Sequence, residues 1–225
     1  MIEVMNSFSC TTSTFFISVD IMDAYLQASP KVLDSKSIHV IGVTCMLMAS
    51  KMEEIIPFKV ATVVQKMTHG KIKHKEIVEC ETDILLALNF KLLHAPCLYI
   101  VVEFLLVKLG FHDNALTDDA NRVMTYVTKM LMHDYALLTR YPLKYLAASC
   151  IYICFKIIEQ VNREFKTKAF VDKLRTLLEL NEQTFYAVSE SILALAKNFE
   201  RNFPAAKNLL RFDSFSLDKE DKLHK

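Results

Sequence analysis

Two stretches far apart in the chain carry one pattern. "SIHVIGVTCMLMASKM" (37–52) laid on "PLKYLAASCIYICFKI" (142–157) pairs Ile38 with Leu143, Ile41 with Leu146, Gly42 with Ala147 and Thr44 with Ser149. It goes on to pair Cys45 with Cys150, Met48 with Ile153 and Lys51 with Lys156. Each stretch sets a small residue, a hydroxyl and a cysteine in its middle, followed by apolar bulk. Small residues there let neighbouring helices come close, so each stretch reads as a central helix enclosed by others. Similarity at a fixed offset marks a duplicated structural unit. The pattern predicts two copies of one helical bundle, divided near Leu93–Pro96.

Composition agrees. Of 225 residues, 52% are apolar, enough for a sizeable core, and only Gly42, Gly70 and Gly110 are glycine. A formal net charge of +1 offers no long-range field for nucleic acid or an anionic membrane. Cys10, Cys45, Cys80, Cys97, Cys150 and Cys154 show neither CxxC pairs nor histidines at zinc spacing, and read as small hydrophobes in a reducing compartment. No apolar run reaches the ~18 residues of a membrane span. The start "MIEVMNSFSC" has neither the basic residues nor the apolar stretch of a signal peptide. The expectation is a soluble intracellular protein.

Apolar residues at steps of three and four place the helices. Met1–Asn6 reads as the end of a helix whose beginning is missing. Phe15, Val19, Met22 and Leu26 form the stripe of the next, which Pro30 ends. Ile38, Ile41, Cys45, Met48 and Met52 define a third, closed before Pro57. Val60, Val63 and Met67 mark a short helix that stops at His69-Gly70, and Ile77, Ile84, Leu85 and Leu88 mark a fifth. The second half gives helices over Leu98–Leu109, from "LTDDANR" to about Leu138, from Pro142 to Glu159, over Lys168–Leu178, and along Phe185, Val188, Ile192, Leu195 and Phe199. "LDKEDKLHK" reads as a solvated tail.

Two charges sit where core is expected. At about 100° per residue Glu81 projects between Ile77 and Leu88, and a lone carboxylate there costs several kcal/mol unless it is paired or reached by water. Lys51 flanks the Met48–Met52 stripe. Two readings stay open: an internal Lys51–Glu81 ion pair, or a partner-facing groove of apolar side chains framed by two charges. Catalytic readings are weak, because the histidines are scattered and no phosphate-binding glycine loop is present. Cys150 and Cys154 lie four apart in an apolar helix without a third ligand, which favours core packing over a metal. "KIKHK" (71–75) is the only basic cluster and, at a helix start, reads as facing solvent.

With these residues placed, the chain resembles the cyclins, regulatory subunits of cyclin-dependent protein kinases. "MLMASKMEEIIPFKVATVV" is similar to the family segment LLASKxEExxPPxV, and "ECETDILLALNFKLLHAP" to MExxxLxxLxFxLxxPT. "HDYALLTRYPLKYLAAS" and "KNLLRFDSFSL" lean toward the mitotic A/B type. The resemblance implies an all-α fold of two tandem five-helix cyclin boxes, the first truncated at its start. It places an N-terminal box at 1–95, a C-terminal box at 96–203 and a tail at 204–225. It implies no enzyme activity, no cofactor and no metal, a place in nucleus and cytoplasm, and no nucleic-acid or membrane partner. The partner it implies is a kinase, gripped at its αC helix, whose glutamate must meet a β3 lysine for catalysis. The kinase-binding residues carried over are Lys51, Glu81, Glu54, Met48, Met52, Leu85, Phe90 and Leu92, the apolar ones lining a pocket for a side chain of that helix.

The chain also departs from the family pattern. A helix and an MRxxLxDWL segment that precede the first box are absent, and its arginine is the usual partner of an aspartate matching Asp23. Asp23 is then left to turn to Lys51, and the faces of Phe15, Phe16 and Ile41 are expected to be partly uncovered. His39 replaces a glutamine at the rim of the patch that docks RxL motifs, which puts such docking in doubt. "RTLL" (175–178) matches a destruction motif but falls in a helix. The alternative to a kinase activator is a cyclin-fold adaptor or scaffold, for example one working in transcription.

Overall fold

A computed structural model describes residues 1–29, 34–92, 96–111, 117–204 and 206. The described residues form helices, turns and loops without a strand. The chain divides into two compact units, Met1–Cys97 and Leu98–Lys225. No helix among the described residues is long and apolar enough to cross a membrane.

The first unit holds α1 (Ile2–Ser7), α2 (Thr12–Ala28), α3 (Ser35–Glu53), α4 (Val60–Thr62, continued by a π-helical turn over Val63–Met67) and α5 (His74–Ala87). α3 is its axis. From Val43 to Ser50 every side chain is buried, because α2, α5 and the π turn all pack on that stretch. An apolar helix with small residues at Gly42, Ala49 and Ser50 can be enclosed this way; a one-sided amphipathic helix cannot. Asp34 starts α3, its carboxylate accepting from the Ser37 amide at 2.8 Å.

α2 turns a different face inward than the Phe15–Val19–Met22–Leu26 stripe. Val19, Met22 and Leu26 are half-buried, while Thr14, Ile17, Ser18, Ile21 and Tyr25 lie inside. The buried hydroxyls are satisfied locally: Ser18 donates to the Phe15 carbonyl at 2.7 Å. Nor are Phe15, Phe16 and Ile41 uncovered; they are 6%, 0% and 4% exposed. α1 contributes the buried Ile2 and Met5, and Met1 brings its methyl to 3.6 Å of the place a Cβ on Gly42 would occupy.

The second unit holds α6 (Leu98–Lys108), α7 (Thr117–Leu131), α8 (Tyr135–Arg140), α9 (Leu143–Val161), α10 (Thr167–Leu178) and α11 (Glu182–Asn202). α9 takes the axial place, packed by α6, α7, α10 and α11. Phe155, fully buried on α9, stands 4.8 Å from Phe111, 5.4 Å from Phe165 and 5.2 Å from Phe170, ring centre to ring centre. The single helix expected up to Leu138 is broken at Met132–Asp134, where Asp134 begins α8 by accepting from the Leu137 amide at 2.9 Å. Gly110, at φ 78°, closes α6 in a left-handed conformation that glycine adopts without strain. Cys150 and Cys154 are core residues, and the Cys154 thiol donates to the Ala120 carbonyl at 3.4 Å. The divide at residues 93–95, the Pro30 stop and the tail beyond Ala206 lie outside the described residues.

Candidate functional site

α3 leaves the core at its last turn, and Lys51 is the first residue to do so. A cation there also suits the negative end of the helix dipole. Across the α3–α5 contact, Glu81 stands between Ile77 and Ile84, both wholly buried, at the edge where that stripe meets solvent. Lys51 Nζ donates to Glu81 Oε1 at 2.6 Å, with the two side chains 42% and 20% exposed. The internal pair left open by the sequence is therefore formed. It sits at the rim and not in the core, where such a pair contributes about 0–1 kcal/mol.

Around the pair the apolar positions behave unequally. Met48 is buried, Leu85 and Leu92 are half-buried, and Met52 and Phe90 are 42% and 68% exposed. Phe90 is held out by its backbone. Asn89 and Phe90 have φ of 49° and 60°, two consecutive non-glycine residues in the left-handed region. For a bulky side chain that conformation is an outlier, costing of order 1–3 kcal/mol. The Phe90 amide, 2.8 Å from the Leu85 carbonyl, closes the turn that imposes it.

The loop after α3 adds residues that the helical periods could not reveal. Ile55 is fully exposed and Ile56 85% exposed. The loop is fastened on both sides of them. Glu54 Oε1 accepts from the Thr11 amide at 2.8 Å, the Thr11 hydroxyl at 3.2 Å and the Thr14 hydroxyl at 2.5 Å, at the start of α2. Burial pushes the Glu54 carboxyl pKa up, but the bonds from Thr14 and Thr11 outweigh it and the net shift is downward. On the far side the Phe58 amide donates to Ser50 Oγ at 3.1 Å, and its ring meets Phe8 edge-on at 5.4 Å. Glu54, placed by the resemblance among kinase contacts, thus spends this oxygen inside the chain. The signal for Ile55–Ile56 was an adjacent isoleucine pair outside any helical period, between two glutamates and a proline.

Asp23 does not turn to Lys51, whose carboxylate partner is Glu81. It lies beside Asp20 one turn earlier on α2, and burial raises its pKa. The Asp20 carboxyl is pushed up to about 7, first by burial and then by the negative charge of Asp23. Lys156, the repeat's counterpart of Lys51, reaches Glu159 of its own helix at 2.7 Å. The wall that α11 turns inward there is uncharged: Phe185, Val188, Ser189 and Ile192 are all buried. Among the described residues no group of three His, Cys, Asp or Glu could hold a metal ion.

Central helices of this kind, each ringed by others, make the chain a two-unit protein of the cyclin fold. A solved viral cyclin from herpesvirus saimiri shares that fold, with a TM-score of 0.66 at 21% identity over 86% of this chain and 81% of that one. Residues 1–93 match the family described as cyclin, N-terminal domain. Cyclin-A1-1 of Arabidopsis thaliana is 25% identical over 74% of this chain and 35% of its own length. The G2/mitotic-specific cyclin-B of Spisula solidissima is 30% identical over 71% of this chain and 35% of its own. The chain belongs to the cyclin family, close to the mitotic A and B types. The match spans about a third of the length of these two curated relatives.

Proposed function

We propose that this chain is a non-catalytic activator of a cyclin-dependent protein kinase in cell-cycle control, acting in nucleus and cytoplasm, and that it grips the kinase's αC helix around the Lys51–Glu81 pair. The observation that carries the reading is the set of apolar side chains held in water beside a charged pair. Ile55 and Ile56 are exposed by a loop fastened at Glu54 and Phe58, Phe90 by a strained left-handed turn and Met52 on the last turn of α3, none of them by slack chain. Exposure maintained against its own cost suits a face that a partner covers.

The chemistry asked of the face is modest. A side chain from the kinase helix would enter between Met52 and Phe90 over the buried Met48, while Lys51 and Glu81 offer a donor and an acceptor to the partner's backbone. Binding the kinase conformation with αC inward favours that state by the difference in affinity between the two. ATP, magnesium and the phosphoryl transfer belong to the kinase.

The test is a titration of this chain into purified cyclin-dependent kinases, reading phosphorylation of a peptide substrate. Activation by at least one kinase is expected, together with a loss of about tenfold or more in apparent affinity for Ile55→Ser/Ile56→Ser. That double variant should fold normally, since both side chains are already in water. Equal activation by the variant would remove these isoleucines from the interface, and no activation of any kinase would favour the scaffold reading.

A further inference from the structure

A second surface of the first unit concentrates exposed positive charge. From Ile55 to Lys75 the chain carries five lysines, Lys59, Lys66, Lys71, Lys73 and Lys75, with His69 and His74, and no acid, although its net charge is only +1. All seven are exposed. Lys59, Lys66, Lys71 and Lys73 make no ion pair among the described residues, and Lys75 has only a loose one with Glu79 at 3.6 Å. Lys36 and Lys51 of the same unit are both paired closely, at 2.8 and 2.6 Å.

The segment is fixed from beneath. Val63, Met67, Thr68 and Ile72 are buried, and the Val64 carbonyl accepts from the Gly70 amide and the Thr68 hydroxyl, each at 2.8 Å. Lys71 and Lys73 flank the inward Ile72 and so point away from the core. The π-helical turn at Val63–Met67 is of a rare kind that occurs frequently at functional sites.

Its charge also works against its own helix. Lys73, His74 and Lys75 stand at the start of α5, where the dipole favours acids and disfavours cations. Glu76, the one acid of that first turn, is already engaged by Lys36 and by the Lys73 amide, both at 2.8 Å. A local rule broken without a gain inside the fold is characteristic of a functional surface.

We propose that residues 59–75 form a docking face for a short acidic segment of a protein partner. The strip is bounded by exposed acids, Glu53 before it and Glu79 and Asp83 after it. A few carboxylates fit between those limits, whereas a continuous phosphate backbone would run onto the acidic side of α5. This inference does not depend on the kinase reading.

The test uses the full chain and a fluorescent peptide of four glutamates alternating with serines, followed by anisotropy at low and at physiological salt. Binding should weaken several-fold with salt, as screening of exposed charges requires. It should fall by about tenfold or more in Lys66→Glu/Lys71→Glu/Lys73→Glu. The triple change Lys168→Glu/Lys173→Glu/Lys197→Glu, on the second unit, should leave it unchanged. Because removing cations from the start of α5 relieves a conflict, the first variant should melt no lower than wild type; should it fail to fold, the same three positions as glutamine carry the test. Equal binding by the two variants would overturn the proposal. So would a single-stranded oligonucleotide of matched charge that binds more tightly than the peptide through the same lysines.

Discussion

Asp20 adds a pH dependence that one side chain can test. Its carboxyl, ordinarily at 3.8, is raised to about 7 by burial and then by Asp23. The folded chain therefore holds that proton more tightly than the unfolded chain. The resulting stability is fully present below about pH 4, declines as pH rises, and is lost once pH passes the folded value near 7. Asp20→Asn, which keeps the neutral form at every pH, should melt higher than wild type at pH 7.5 and show a shallower slope between pH 5 and 7.5. Thermal melts of both proteins at the two pH values check this; parallel curves would mean that Asp20 is solvated and ionised. Nothing in the residue pattern could have shown it, since Asp20 and Asp23 look like the polar face of α2 until folding buries them. Glu81 was the opposite case. Its place inside an apolar stripe was visible in the sequence, and what the sequence lacked was its partner's distance.

At the scale of elements, a regular apolar stripe made a helix legible whether or not a side chain caps it, as α9 and α10 are uncapped by side chains. α9 and α10 begin and end within two residues of the expected bounds, while α3 and α11 run up to three residues beyond the ends of their apolar stripes. α2 was misread in its inward face because apolar residues surround it: Phe15, Phe16, Ile17, Val19, Ile21 and Met22 leave no single stripe, and the buried Thr14 and Ser18 look polar until their hydroxyls bond locally. α8 was missed because no glycine or proline marks Met132–Asp134; the break is an aspartate cap alone. The end of α5 was equally silent. "LNF" does not announce two left-handed residues, yet it is this turn that aims Phe90 outward. Phe90→Gly should separate the two consequences of that turn. Glycine accepts φ 60° freely, so the melting temperature should rise by an amount corresponding to about 1 kcal/mol, while affinity for the kinase falls. If both quantities fall together, the turn is not strained and Phe90 serves the fold.

Over the whole molecule, the duplication read from two sequence stretches appears as an enclosed central helix in each unit, α3 in one and α9 in the other. The units differ where function is proposed. The second packs its axis with an uncharged wall of α11 and lets Lys156 pair along its own helix, so enclosure does not require a cross-helix ion pair. The first spans α3 and α5 with Lys51–Glu81 at a rim, in a unit that also exposes Met52, Ile55, Ile56 and Phe90. A pair that packing does not need is free to serve a partner. The measurement that tests this most directly takes Lys51→Ala and Glu81→Ala and records, on the same preparations, affinity for the activated kinase and the thermal melt. A rim pair adds about 0–1 kcal/mol to stability, so the melts should stay close to wild type. Each substitution should weaken kinase binding by about tenfold or more, because it leaves one charge unmatched under the partner. A lowered melting temperature with unchanged kinase affinity would contradict the account and leave Lys51 and Glu81 as a structural pair only.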